Sequence, residues 1–78
     1  MKTGRTELKL FRVRHNLTQE QTAARIGCGR MTYAAVENGK RKPSARFRED
    51  FQKAFNISDK NFVELMKIDT DRQKENDR

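Results

Sequence analysis

Apolar residues recur along this chain at the three- and four-residue spacing of helices, in five short bursts broken by glycine, asparagine, proline or serine. The first burst predicts a helix over about Glu7 to His15. Leu8, Phe11 and Arg12 share one face there, with His15 a turn further on, and Leu10 and Val13 form a smaller apolar strip on another side. That strip is placed either to cover the fifth helix or to meet a partner. Asn16 follows, a residue that tolerates the left-handed cap conformation better than most others except glycine. In LTQEQTAARIG, Thr18 is a good N-cap, Gln21 completes a capping box, Ala23 and Ile26 face inward, and Gly27 ends the helix. Thr22 lies beside the inward pair, where its hydroxyl needs an acceptor.

The third helix, about Arg30 to Asn38, carries Tyr33 and Val36 on one face and Arg30, Met31, Ala34, Ala35 and Asn38 on the other. Gly39 closes it, and Pro43 with Ser44 opens a fourth helix whose Phe47, Phe51, Ala54 and Phe55 make one buried stripe. Ser58 caps a fifth, with Ile57 and Phe62 at the staple positions and Phe62, Leu65 and Met66 inward. From about Asp69 nothing apolar remains. The expected organisation is one domain over 1–68 and a polar, disordered tail over 69–78, the fold all-α.

Charge changes this picture more than size does. Residues 1–66 hold 14 Lys and Arg against 7 Asp and Glu, whereas residues 67–78 hold 4 of each, so the excess sits in the helical part. Between Arg25 and Arg48 there are seven basic residues, and Glu37 is the lone acid. A block of that kind favours a polyanion, nucleic acid or an anionic membrane. No apolar run approaches the roughly 20 residues that span a bilayer. A single cysteine fits a reducing compartment, and a cytoplasmic protein is expected. One histidine and one cysteine make no conventional zinc site, no side chains are arranged for catalysis, and no cofactor motif or small-molecule site is evident. Neither an enzyme nor a metalloprotein is expected. Cys28 reads as a small filler at a turn. The helical spacing of Tyr33, Phe47, Phe51, Phe55 and Phe62 makes them core rather than a platform for unpaired bases.

The Gly-Cys-Gly break supplies the functional expectation. Two helices of about eight residues joined by a short glycine-containing turn form a helix-turn-helix. Ala23 lets them cross closely, and the N-terminal tip of the third helix then projects, with Arg30 its first exposed side chain. Such a tip fits the major groove of duplex DNA, where an arginine pairs with guanine O6 and N7. Met31 is placed for a thymine methyl, and Ala34 and Ala35 are small enough to let the helix sit deep. The start of the second helix, with Gln19, makes an anion site for one phosphate. Lys40, Arg41 and Lys42 are expected to clamp another stretch of backbone, with Thr32 also counted among the phosphate contacts.

LTQEQTAARIG followed by TYAAVENGKRKPS resembles the lambda-repressor-like helix-turn-helix family, also called the Cro/C1 or XRE type, over about Leu8 to Leu65. The resemblance implies a five-helix DNA-binding domain, phosphate contact by Gln19, and base reading from Gly29, Arg30, Met31 and Ala35. It also implies a salt bridge between Arg12 and Glu37. Three positions depart from the family pattern: Thr22 where an apolar residue is usual, Cys28–Gly29 for an apolar–Ser/Thr pair, and Arg48 for Leu. The target sequence therefore cannot be borrowed from a relative. The expected function is a sequence-specific duplex-DNA regulator, most simply a repressor. It is expected to act as a homodimer on a pseudo-palindrome whose half-sites lie about 34 Å apart. The dimer surface is expected from Phe62, Met66 and Ile68, or from Leu10 and Val13. Rival readings are an antitoxin or restriction-modification controller on the same fold, and a protein-interaction module that uses the basic face.

Overall fold

The computed structural model describes residues 4–69. Five helices and no strand occur among them: α1 (Thr6–Arg14), α2 (Gln19–Ile26), α3 (Arg30–Glu37), α4 (Ala45–Phe55) and α5 (Asp59–Leu65). Three begin as their sequences predict. Thr18 Oγ1 accepts from the Gln21 amide at 3.1 Å while Gln21 Oε1 accepts from the Thr18 amide at 2.9 Å, a complete capping box. Ser44 and Ser58 accept from the amides of Phe47 and Asn61 in the same way. The first helix differs. It starts at Thr6, one residue before the expected Glu7, because its cap comes from elsewhere: Asp69 Oδ1 accepts from the Thr6 amide at 2.9 Å. Asp69, expected to open the tail, is thus tied to the start of α1; the rest of that expected tail, 70–78, lies outside the described residues.

Helix ends follow the left-handed cap logic. Gly27 closes α2 with φ 93° and donates to Ala23 O at 2.8 Å. Asn16 and Asn56 take φ 57° and 53° after α1 and α4. A Cβ on Gly27 would meet nothing within 4 Å, so the conformation alone sets the cost of a substitution. Gly27→Ala is expected to lower stability by about 1 kcal/mol with the fold retained, read from the urea midpoint. A loss several times larger would mean that the turn lacks the room described.

The core joins all five elements through Leu8, Ala23, Ile26, Tyr33, Val36, Phe47, Phe51 and Phe62. Phe51 lies at its centre, its ring 4.9–5.9 Å from those of Phe47, Phe55, Phe62 and Phe11. Thr22, buried beside Ala23, donates its hydroxyl to Thr18 O at 2.8 Å, which meets the requirement of a polar group in that position. Phe62 belongs wholly to this core at 4% exposure and offers nothing to a dimer surface, unlike the partly exposed Met66 and Ile68. Leu10 and Val13 are exposed rather than covered by α5.

Candidate nucleic-acid interface

Helix α2 and helix α3 pack against each other across Gly27–Gly29, with Ala23, Ile26, Tyr33 and Val36 buried between them and the rest of the core. Gly29 is the N-cap of α3, in extended conformation and without a side chain to cap it. The buried face of α3 is Tyr33, Val36 and Glu37. Its opposite face is therefore presented outward at the helix tip. Arg30 there is exposed and makes no hydrogen bond or ion pair with another described residue, and Met31 is 82% exposed. Thr32, Ala34 and Ala35 are half-buried along the same helix.

The acid of the basic block is hidden. Glu37 is buried and takes a bidentate contact from Arg12, Nε to Oε2 at 2.8 Å and Nη2 to Oε1 at 3.1 Å. Arg12 Nη1 also donates to Leu17 O at 2.8 Å. Burial alone would push the Glu37 carboxyl up, but hydrogen bonds from Arg12 and Gln19 outweigh it and hold the carboxyl below its usual range. Burial, then the nearby Glu37 charge, pushes the Tyr33 phenol well up; its hydroxyl is enclosed beside this pair with no hydrogen-bond partner among the described residues. Burial likewise raises the Cys28 thiol, which packs partly against the core at the turn.

The seven cations of the block divide into two sets. Arg25 lies over the Phe55 ring at 5.3 Å, Arg46 pairs with Asp50 at 3.6 Å, and Arg48 pairs with Asp59 at 3.1 Å. Arg30, Lys40, Arg41 and Lys42 are exposed with side chains that bond to no described residue. The last three sit on the turn after α3, whose path is held by Lys40 and Arg41 amides donating to Ala35 O at 2.9 and 3.2 Å. Gln19 is different from the expected free phosphate donor: its Nε2 already donates to Glu37 Oε1 at 3.1 Å, so a phosphate there has to share or displace that contact.

One residue of consequence was not singled out by sequence reasoning. Arg5, just before α1, is buried at 5% exposure, and its guanidinium reaches the carbonyls of Val36, Arg41 and Met66. No sequence signal marks it, since its acceptors are main-chain atoms far along the chain. No group of three or more His, Cys, Asp or Glu that could hold a metal ion occurs among the described residues. No described helix is long and apolar enough to cross a membrane.

An α-helical fold with a bent helix pair and a bare cationic helix tip defines a helix-turn-helix protein. A family model described as helix-turn-helix matches residues 8–60, and the chain belongs to that family, in its Cro/C1-type (XRE) form, whose members are DNA-binding transcriptional regulators. Among curated proteins it is similar to an HTH-type transcriptional regulator of Methanocaldococcus jannaschii, 40% identical over 53 residues, spanning 68% of this chain and 80% of the relative. Two HTH-type transcriptional regulators of Archaeoglobus fulgidus match over 52 residues each, at 40% and 36% identity, spanning 67% of this chain and 73% and 74% of the relatives. No solved structure matches the chain.

Proposed function

We propose that this chain is a sequence-specific, double-stranded-DNA-binding regulator, acting as a repressor, that lays α3 in the major groove. The observation that carries the reading is the division of the basic block: its acid is buried against Arg12, and the cations that no described residue pairs are Arg30 at the α3 tip and Lys40, Arg41 and Lys42 at its far end. An outward face with that layout supports base reading by the one cation at the tip and backbone contact by the three at the far end. Met31, exposed beside Arg30, adds an apolar group for a thymine methyl. Gly29 and Ala35 bring no bulk and allow close approach, and Thr32 in the first turn of α3 and Gln19 at the start of α2 add further backbone contacts, Gln19 by sharing or giving up its bond to Glu37. The shared description of the relatives as transcriptional regulators supports the regulatory role. Two copies on a pseudo-palindrome, half-sites about 34 Å apart, would multiply the small footprint of one helix. Bound across a promoter, such a pair blocks polymerase.

Selection of bound duplexes from a random pool tests this. The wild-type chain is expected to enrich a defined site with a log–log salt slope of several units. Arg30→Ala is expected to relax preference at one or two base positions, with a loss of about 1–3 kcal/mol on the selected site. Identical enriched sequences for wild type and Arg30→Ala would remove Arg30 from base reading. No enrichment at all by the wild type would remove the function.

A further inference from the structure

Two charged residues are buried among the described residues, Arg5 and Glu37. Glu37 has a guanidinium against it; Arg5 has no acid against it among the described residues. A buried cation without a counter-ion persists only where hydrogen bonds replace its lost water, and here those bonds tie together three distant pieces of backbone. Nε donates to Met66 O at the end of α5 at 2.8 Å, and Nη1 donates to Val36 O in the last turn of α3 and to Arg41 O in the basic turn, the latter at 3.2 Å. The main chain on either side follows the same path. The Arg5 amide donates to Glu37 O at 2.8 Å, and the Asp69 amide donates to Gly4 O at 2.9 Å. The Asp69 carboxylate accepts from both the amide and the hydroxyl of Thr6.

We propose that Arg5 is a positioning residue for DNA binding, its fork fixing the Lys40–Lys42 turn against the ends of α3 and α5 so that the turn's cations meet the duplex backbone. The proposal rests on the duplex-binding reading above. At 5% exposure Arg5 is enclosed and does not itself present charge to DNA, so any influence on affinity passes through the groups it holds. Its acceptors are the reason to name the turn: Val36 O also takes the Gly39 amide at 3.1 Å, and the next carbonyl back, Ala35 O, takes the amides of Lys40 and Arg41. The guanidinium adds to these α3 contacts a hold on the turn at Arg41 O that comes from outside α3. A planar fork can serve carbonyls in different directions at once, while the ammonium of lysine is a point donor on a flexible stem. A cation at the last carbonyls of two helices also meets the negative ends of both dipoles.

The test uses the whole chain and a duplex selected by the wild type. Each variant is assayed at a temperature where circular dichroism shows it fully folded. Arg5→Lys is expected to bind about tenfold more weakly and to lower the salt slope by about one, the signature of a phosphate contact out of reach. In a background where Lys40, Arg41 and Lys42 are all alanine, Arg5→Lys is expected to change affinity no further, because what it positions has gone. Should Arg5→Lys not fold, Asp69→Ala takes its place in the same comparison, since it removes the carboxylate contacts to Thr6 beside Arg5 and leaves the guanidinium intact. Wild-type affinity and slope in the folded variant, or a penalty that persists undiminished in the alanine background, overturns the positioning role alone. A wild-type chain that binds no duplex overturns both this role and the function it rests on.

Discussion

Arg12→Met is expected to lower the stability of this protein by about 3–5 kcal/mol, the cost of leaving one member of a buried ion pair without the other. The side chains concerned are 13% and 4% exposed, so water does little to screen the change. The substitution keeps the apolar stem that lies along α1 and removes the guanidinium, leaving Glu37 with Gln19 as its donor and Leu17 O without the 2.8 Å contact from Arg12. The pH dependence gives a second reading of the same pair. Glu37 in the folded chain binds its proton less readily than in the unfolded one, so its contribution is complete above the unfolded value and fades as pH falls through the folded one. In Arg12→Met the carboxyl loses its main stabilising partner while burial still pushes it up, so acid ceases to harm the variant in that way. The stability gap between wild type and Arg12→Met, measured from denaturant midpoints, is therefore expected to narrow from neutral pH towards about 4. Replacing both residues, Arg12→Met with Glu37→Leu, is expected to recover much of the loss, because the desolvation cost disappears with the charges. A single-variant loss under about 0.5 kcal/mol, in the range of surface pairs, would show that the bridge holds nothing.

What was legible in the chain follows from how far apart the interacting groups lie. The Thr18–Gln21 box, the serine caps and the Gly27 stop are written within a few residues, and the α2–turn–α3 unit appears where they place it. The start of α1 was displaced because its cap, Asp69, lies 63 residues away in sequence. Arg5 was invisible for a related reason: its acceptors are carbonyls, which every residue carries, so no side-chain pattern announces them. The composition of the candidate interface could be read from the basic block, but not its division. Arg25, Arg30 and Arg48 look alike in a sequence. Only tertiary packing places a ring under the first, no described partner on the second and Asp59 beside the third. Gln19 shows the same limit, since the partner that engages it lies 18 residues on.

Phe51→Ala carries the other large expectation, a loss of about 3–5 kcal/mol. Phe51 is fully enclosed, and its ring touches those of Phe11 from α1, Phe47 and Phe55 from its own helix, and Phe62 from α5. Through Phe47 the cluster continues to Tyr33 on α3, at 6.3 Å between rings. Truncating the hub leaves these rings facing a void that a helix bundle closes only in part, and the residual cavity adds to the lost burial. A protein of this size has on the order of 0.05–0.15 kcal/mol per residue to lose, so the variant gives up a large share of its stability and reaches its unfolding midpoint at room temperature only at the low end of that range. The melting temperature is expected to fall by roughly 15–30 °C, while Val63→Ala at a site 55% exposed moves it by a few degrees at most. The same experiment separates two uses of aromatic residues. If these rings were a platform for unpaired bases, Phe51→Ala would stay folded and lose affinity for single strands. If they are core, it loses helicity first, and duplex binding fails only in proportion to the folded fraction that remains.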